Sequence, residues 1–153
     1  NKEIKEIFET TVKNWFNDQT QMIDRKALFA AVWNGDSKTL TAQISKLLRM
    51  TISYHDYKED FYHAFLAGIF AGAGYNVQSN KEHGEGRSDI VIINEYEGKV
   101  AVFEVKCSKK AKELEQDCEK AIQQIKEKMY AKEYEEVFCY GISFYKKRCM
   151  VVM

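Results

Sequence analysis

The chain has 153 residues, enough for one domain with a substantial core, and two independent domains are not expected. Hydrophobic residues make up 45% and charged residues 30% of the chain, a balance that excludes an intrinsically disordered protein. The 23 basic and 23 acidic side chains give a net charge of zero, so any contact with nucleic acid must come from a local patch.

The cysteines and the hydropathy pattern predict a cytoplasmic protein with no membrane association. The four cysteines, Cys107, Cys118, Cys139 and Cys149, include no C-x-x-C pair, and we expect buried, reduced thiols rather than a zinc or redox site. No apolar run approaches the ~20 residues that cross a bilayer. Because the first residue is not Met, we expect the sequence to be a fragment of a longer chain.

The first third of the chain is predicted to be helical. Apolar residues at helical spacing predict helices near residues 4–16 and over Met22–Trp33, and a third helix is marked by Leu40, Ile44, Leu47 and Leu48. Gly35 suits the end of the second helix, and Asp36 or Ser37 suits the cap of the third. We expect residues 1–53 to form a helical extension packed on a core domain of residues 54–153.

A fourth helix is predicted to begin at "DYKE", where Asp56 and Glu59 match a capping box. Its glycines, Gly68 and Gly72, stand four residues apart, and we expect this helix to lie tight against a sheet. The segment "GYNVQS" predicts a strand, and the polar loop "NKEHGEG" precedes a hairpin in "GRSDIVIINEYEGKVAVFEVK".

After the hairpin, one helical face is lined by Leu114, Cys118, Ala121, Ile122, Ile125 and Met129. The segments "EVFCYGISF" and "RCMVVM", joined by "YKK", predict a closing hairpin. The order of elements is helices followed by β-β-β-α-β-β, which excludes a Rossmann-type βαβ unit and a helical repeat protein. We therefore expect an α/β fold with a mixed central sheet flanked by helices.

The hairpin predicts a metal site. If its turn is "EYEG" and Asn94 pairs with Lys99, constant register places Asp89 opposite Glu104, and alternation puts Lys106 on the same face as Glu104. Two facing carboxylates about 5 Å apart repel unless a cation lies between them. Mg²⁺ or Mn²⁺ prefers such oxygen ligands, and a nearby lysine suits phosphodiester hydrolysis. The open alternative is a cross-strand salt-bridge cluster at the surface.

These residues resemble the D...(D/E)-x-K signature of the PD-(D/E)XK nuclease superfamily, with "SD" and "FEVK" as the two parts and Ser88 in place of Pro. The segments "NKEIKEIF", "ISYHDYKEDFYHAFL", "GEGRSDIVI" and "AIQQIKEKMYAKEY" also resemble the C-terminal, nuclease-like region of a bacterial family of ATPase-like proteins. The resemblance implies a restriction-endonuclease-like core, Asp89 and Glu104 as metal ligands, and Lys106 as the catalytic lysine.

The resemblance also implies supporting roles elsewhere. Gln124 matches a helix position that supports the site in related nucleases, and Glu59 matches a first-helix acid that contributes a further metal ligand; its capping box is the alternative reason for Glu59. Arg87, like Glu82, lies where it can contact metal or phosphate. Lys109 begins the basic cluster "KKAK", which, with "YKKR" at residues 145–148, is a candidate for phosphate contacts.

Three functions stay open at this stage. The first is metal-dependent hydrolysis of DNA. The second is an inactive nuclease-fold module that works beside an ATPase-like domain outside this chain, which itself has no G-x-x-x-x-G-K-[ST] stretch. The third is a structural domain whose hairpin charges pair. His63 and His83 have no partner at zinc spacing, and we expect His63 to be a hydrogen-bonded, partly buried residue.

Overall fold

A computed structural model describes residues 25–50, 59–82, 87–126 and 136–153, and the single positions 3, 7, 10, 11 and 14. These ranges contain α1 (Arg25–Asn34), α2 (Ser37–Met50), α3 (Glu59–Gly72), β1 (Asn76–Glu82), β2 (Arg87–Asn94), β3 (Lys99–Cys107), α4 (Leu114–Lys126), β4 (Glu136–Tyr145) and β5 (Arg148–Val152). The cap predicted at Asp56 and most of the helix predicted near residues 4–16 lie outside the described residues.

The five strands form one mixed sheet in the order β1-β2-β3-β4-β5. All neighbouring strands are antiparallel except β3 and β4, which are parallel. The predicted α/β fold with a mixed, helix-flanked sheet is therefore confirmed. The exclusion of a βαβ unit is wrong in one respect, since β3, α4 and β4 form a β-α-β crossover; parallel neighbours require such a connection.

The two faces of the sheet bury different amounts of apolar surface. Helices α1, α2 and α3 cover one face, where Phe103 stacks on Tyr140 with ring centroids 4.8 Å apart and lies 5.4 Å from Phe70. Helix α4 covers the other face with a smaller cluster of six buried residues, Val91, Ile93, Val100, Val102, Ile122 and Ile125. We call these the α3 face and the α4 face.

The connection between α1 and α2 follows the predicted signals. Gly35 has φ +68°, a left-handed conformation that glycine adopts without a Cβ clash. Asp36 accepts a hydrogen bond from the Thr39 amide at 3.1 Å, and its bonds to Thr39 lower the pKa of its carboxyl. Helix α2 then covers the edge strand β5, where the Val151 amide donates to Thr41 at 2.9 Å.

Helices α1 and α2 share the α3-face core with the sheet. The division of the chain between residues 53 and 54 stays a prediction. All four cysteines lie in the described ranges and none forms a disulfide; Cys118 and Cys149 are buried, and the other two are half-buried. Among the described residues, no helix combines the length and the apolar character needed to cross a membrane.

Candidate metal and nuclease site

The register of the β2–β3 hairpin places the two candidate metal ligands opposite each other. Asp89 pairs with Glu104 and Asn94 pairs with Lys99, as the turn "EYEG" predicts. Side chains alternate along a strand, so Asp89 shares a face with Val91, and Glu104 shares it with Val102. Because both valines belong to the cluster beneath α4, the two acids lie on the α4 face.

Both acids are buried, which argues against a surface salt-bridge cluster. Asp89 is 2% exposed and Glu104 is 0% exposed. Facing Cβ atoms in an antiparallel pair stand about 5 Å apart, and two carboxylates held that close in a low-dielectric site repel strongly. A divalent cation between them would remove the repulsion, so the site has the donor chemistry of a metal centre.

Strand β1, which pairs with β2, holds the Asp89 side chain by a hydrogen bond. Asn80 pairs with Asp89 in the β1–β2 ladder, and its side-chain amide donates to the Asp89 carboxylate at 2.9 Å. This bond fixes one carboxylate oxygen and leaves the acid oriented along the α4 face. Asn80 was not predicted from the sequence, because its only signal is its register position in the largely polar strand β1.

The α3 face supports the backbone of the same residue. His63 in α3 is fully buried, and its Nε2 lies 3.2 Å from the Asp89 carbonyl oxygen, which accepts the bond. Its Nδ1 lies 3.0 Å from the Ser79 hydroxyl, which donates. His63 is thus the hydrogen-bonded residue that the sequence predicts, although it is more fully buried than expected.

Lys106 follows Glu104 by two residues and lies on the same face of β3, where it is half-buried. Its neighbour in the parallel β3–β4 ladder is Ser143, which is fully buried and donates to the Leu114 carbonyl at the start of α4. The first turn of α4 therefore lies directly beside the lysine.

Gly141, the β4 neighbour of Glu104, permits this close approach of α4 to the sheet. A Cβ at this position would lie 2.1 Å from the Cys118 carbonyl oxygen and 2.8 Å from the Ile122 amide nitrogen, both backbone atoms. Any side chain at Gly141 would push the helix away. The sequence signal was a glycine inside a β-rich run, which marks close backbone approach.

Gln124 and Asp117 stand seven residues apart on one flank of α4, a spacing of almost two full turns. Asp117 accepts a hydrogen bond at 2.7 Å from Ser108, the residue after β3, so this flank faces β3. The Gln124 side-chain oxygen is buried and has no hydrogen-bond partner among the described residues. Both residues therefore border the β3 side of the site; Asp117 was not predicted.

The remaining candidates lie around the site. Glu59 begins α3. Burial raises the pKa of the Cys107 thiol, and the negative charges of Glu59 and Asp117 raise it further. Arg87 begins β2 opposite Glu82. Lys109 is exposed in the loop after β3. Their predicted roles in metal or substrate binding stay predictions.

The described residues contain no group of three or more His, Cys, Asp or Glu side chains suited to one metal ion. Within these ranges Glu59 does not form such a group with Asp89 and Glu104, and the roles of all three acids as metal ligands stay predictions. Two carboxylates fit Mg²⁺ or Mn²⁺, because these ions keep several waters and take further oxygens from substrate phosphate.

Comparison with known proteins adds one finding. The family model of the PD-(D/E)XK nuclease superfamily matches residues 57–153, a range that contains α3, the whole sheet and α4. The chain has no significant match among curated proteins or among solved structures.

Proposed function

The chain belongs to the PD-(D/E)XK nuclease superfamily, and from this premise we propose that it is a metal-dependent nuclease that hydrolyses phosphodiester bonds in DNA. The observation that carries the proposal is the burial of Asp89 and Glu104 opposite each other, with Lys106 on the same face. A lysine beside two buried acids suits a reaction in which negative charge develops on a phosphoryl group.

In this proposal Asp89 and Glu104 hold Mg²⁺ or Mn²⁺, which when bound supplies Lewis-acid stabilisation of the phosphoryl oxygen and a more acidic water. Lys106 orients the attacking water and stabilises charge on the phosphoryl group. Gln124 offers its amide to the same space from α4, and Asn80 keeps the Asp89 carboxylate turned toward the metal position.

A cleavage assay tests the catalytic claim. Plasmid and single-stranded DNA are incubated with the protein and Mg²⁺ or Mn²⁺, and product is quantified for wild type, Lys106→Ala and Lys99→Ala. Lys99 lies in the same strand but pairs with Glu97 at 3.4 Å near the hairpin turn. We expect Lys106→Ala to lose roughly 100-fold in rate and Lys99→Ala to cut like wild type. Equal rates in wild type and Lys106→Ala would refute the claim.

The competing function is a catalytically inactive nuclease-fold module attached to an ATPase-like domain. The zero net charge and the resemblance to ATPase-associated nuclease-like regions favour it. It predicts no cleavage in either metal and no specific loss on changing Lys106. Both functions suit a cytoplasmic protein, because four cysteines outside any disulfide match a reducing compartment.

A further inference from the structure

Two short basic segments meet at the end of the sheet where β3 and β4 end. The first is residues 108–112 and the second is residues 145–148; together they contain six lysines or arginines and no acid in nine residues. We call them the basic rim, with the cations Lys109, Lys110, Lys112, Lys146, Lys147 and Arg148. The net charge of the chain is zero, so the positive charge concentrated in the basic rim indicates a local site for an anion.

The register brings the two segments together. Cys107 pairs with Phe144 at the end of the parallel β3–β4 ladder, and the Ser108 amide donates to the Phe144 carbonyl at 2.7 Å. Neighbouring strands stand about 4.8 Å apart, so both segments leave the sheet side by side. Sequence alone does not reveal this, because 32 residues separate the segments.

The rim lies at the same end of the sheet as the candidate site. Lys106 precedes the first segment by two residues, and Glu104 precedes it by four. At about 3.3 Å per residue the rim begins roughly 7–13 Å from these side chains. A nucleic acid strand carries one phosphate per ~3.4 Å of helix axis, so this distance corresponds to about two to four nucleotides.

The turn between β4 and β5 is held in place by Tyr62 of α3. The Tyr62 hydroxyl donates to the Lys146 carbonyl at 2.8 Å, and the Tyr62 ring stacks on Phe144 with centroids 4.6 Å apart. Lys146 has φ +51°, and its ammonium lies 5.4 Å from the centre of the Tyr145 ring. The backbone of the turn is thus held in position, so that binding an anion there orders side chains but not the turn itself.

The rim cations are available to an external anion. Lys109, Lys110, Lys112, Lys146 and Arg148 are exposed, and Lys147 is half-buried. Within the described ranges, none of the six takes part in a salt bridge. The nearest acids in sequence begin at Glu113, in the first turns leading into α4, where the helix dipole accounts for them.

We propose that the basic rim binds the phosphodiester backbone of the nucleic acid strand beside the site, without reading its bases. This inference rests on the proposed nuclease function for its substrate, but the binding it describes is measurable without cleavage. A phosphate backbone fits because it is a regular row of negative charges, and a row of flexible cations on a fixed turn matches it.

Fluorescence anisotropy in EDTA tests the rim with labelled 20-nucleotide single-stranded DNA, the matching duplex and the matching RNA. The variant carries Lys146→Gln, Lys147→Gln and Arg148→Gln. Its matched control carries Lys38→Gln, Lys46→Gln and Arg49→Gln, an equal loss of charge on exposed positions of α2. Circular dichroism confirms that both are folded, and a second variant changes Lys109, Lys110 and Lys112 to Gln.

We expect each rim variant to bind at least one of the three nucleic acids about tenfold more weakly than wild type, with the slope of log K against log salt reduced by roughly three. The α2 control should bind like wild type. Equal binding by rim variants and control would overturn the proposal, as would wild-type protein that binds none of the three. Equal affinity for a polyglutamate peptide would also overturn it, because the rim would then not select a phosphate backbone.

The outcomes separate this inference from the nuclease proposal. If wild type never cuts DNA but the rim variants lose binding, the rim is supported and catalysis is refuted. If the rim variants bind and cut like wild type while Lys106→Ala does not cut, the rim is refuted and the nuclease stands. RNA binding that exceeds DNA binding supports the rim and identifies RNA as the backbone it takes.

Discussion

Phe103 and Glu104 are adjacent in β3 and face opposite sides of the sheet. Both are fully buried. Phe103 lies among aromatic rings on the α3 face, which three helices cover, whereas Glu104 lies opposite Asp89 on the α4 face, which one helix covers. The difference indicates that the α3 face contributes most of the apolar packing, whereas the α4 face buries two acids, which costs stability.

Phe103→Ala tests the contribution of the α3 face to stability. Removing a buried ring that contacts Phe70 and Tyr140 should lower the free energy of unfolding by about 4 kcal/mol. Urea denaturation followed by circular dichroism measures the change. A loss below about 1 kcal/mol would mean that the α3 face is not the main source of stability. Tyr96→Ala, at a 99% exposed position in the hairpin turn, should leave stability unchanged.

Gly141→Ala tests the contact between α4 and the sheet beside Glu104. The added Cβ would lie 2.1 Å from the Cys118 carbonyl oxygen, so the helix must shift, at an expected cost of about 3 kcal/mol. Gly98→Ala is the control: it strains a turn glycine with φ +68° and should cost only about 1 kcal/mol. Equal, small losses in both variants would show that α4 does not approach the sheet so closely.

The pH dependence of stability reports on the α3 face through Tyr140. Burial raises the pKa of Tyr140 to about 12, and its hydroxyl donates to the Val32 carbonyl. The folded-state pKa lies above the unfolded value near 10. The stability that the neutral Tyr140 side chain contributes is therefore fully present below pH 10 and is lost as the pH rises toward 12. The pKa of Cys149 is raised to about 12 for the same reason and adds to the loss.

Tyr140→Phe separates the effect of Tyr140 on alkaline stability from that of Cys149. We expect it to cost about 1 kcal/mol at pH 8, from the lost hydrogen bond, and to weaken the fall in stability between pH 10 and 12. Urea denaturation at pH 8, 10 and 11 measures both effects, with the exposed Tyr96→Phe as control. An alkaline loss identical in wild type and Tyr140→Phe would assign the effect to Cys149 and contradict the role given to Tyr140.

Glu104→Gln should have the smallest effect on stability without metal, within about 1 kcal/mol, because it keeps the side-chain shape and removes repulsion from Asp89. With Mn²⁺ at ten times its dissociation constant, wild type should gain about 1.4 kcal/mol and the variant nothing. Thermal denaturation with and without Mn²⁺ measures this. An equal gain in both proteins would place metal binding elsewhere in the chain.

The sequence predicts the hairpin part of the site well and the rest poorly, for a physical reason. A four-residue turn and strict alternation fix which residues of β2 and β3 face each other, so the Asp89–Glu104 pair follows from local pattern. The position of β4 depends on a crossover through α4, which local pattern does not specify. The roles of Gly141 and Ser143 beside the site therefore required the structure.

The supporting contacts show the same limit. The sequence pattern predicts every described strand, but it does not reveal that β3 and β4 pair in parallel. Asn80 and Asp117 are ordinary polar residues in sequence, and only tertiary packing brings them to Asp89 and Ser108. His63 was correctly interpreted as a structural residue, because no metal-binding partner stands at a suitable spacing.

Calorimetric titration with Mn²⁺ tests the central claim most directly, because it needs neither substrate nor cleavage. Wild type should bind Mn²⁺ with measurable heat, and Asp89→Asn and Glu104→Gln should abolish it. Glu97→Gln should bind like wild type, since Glu97 is 51% exposed and pairs with Lys99 in the hairpin turn. Absence of binding in wild type, or unchanged binding in Asp89→Asn and Glu104→Gln, would contradict the assignment of the metal site.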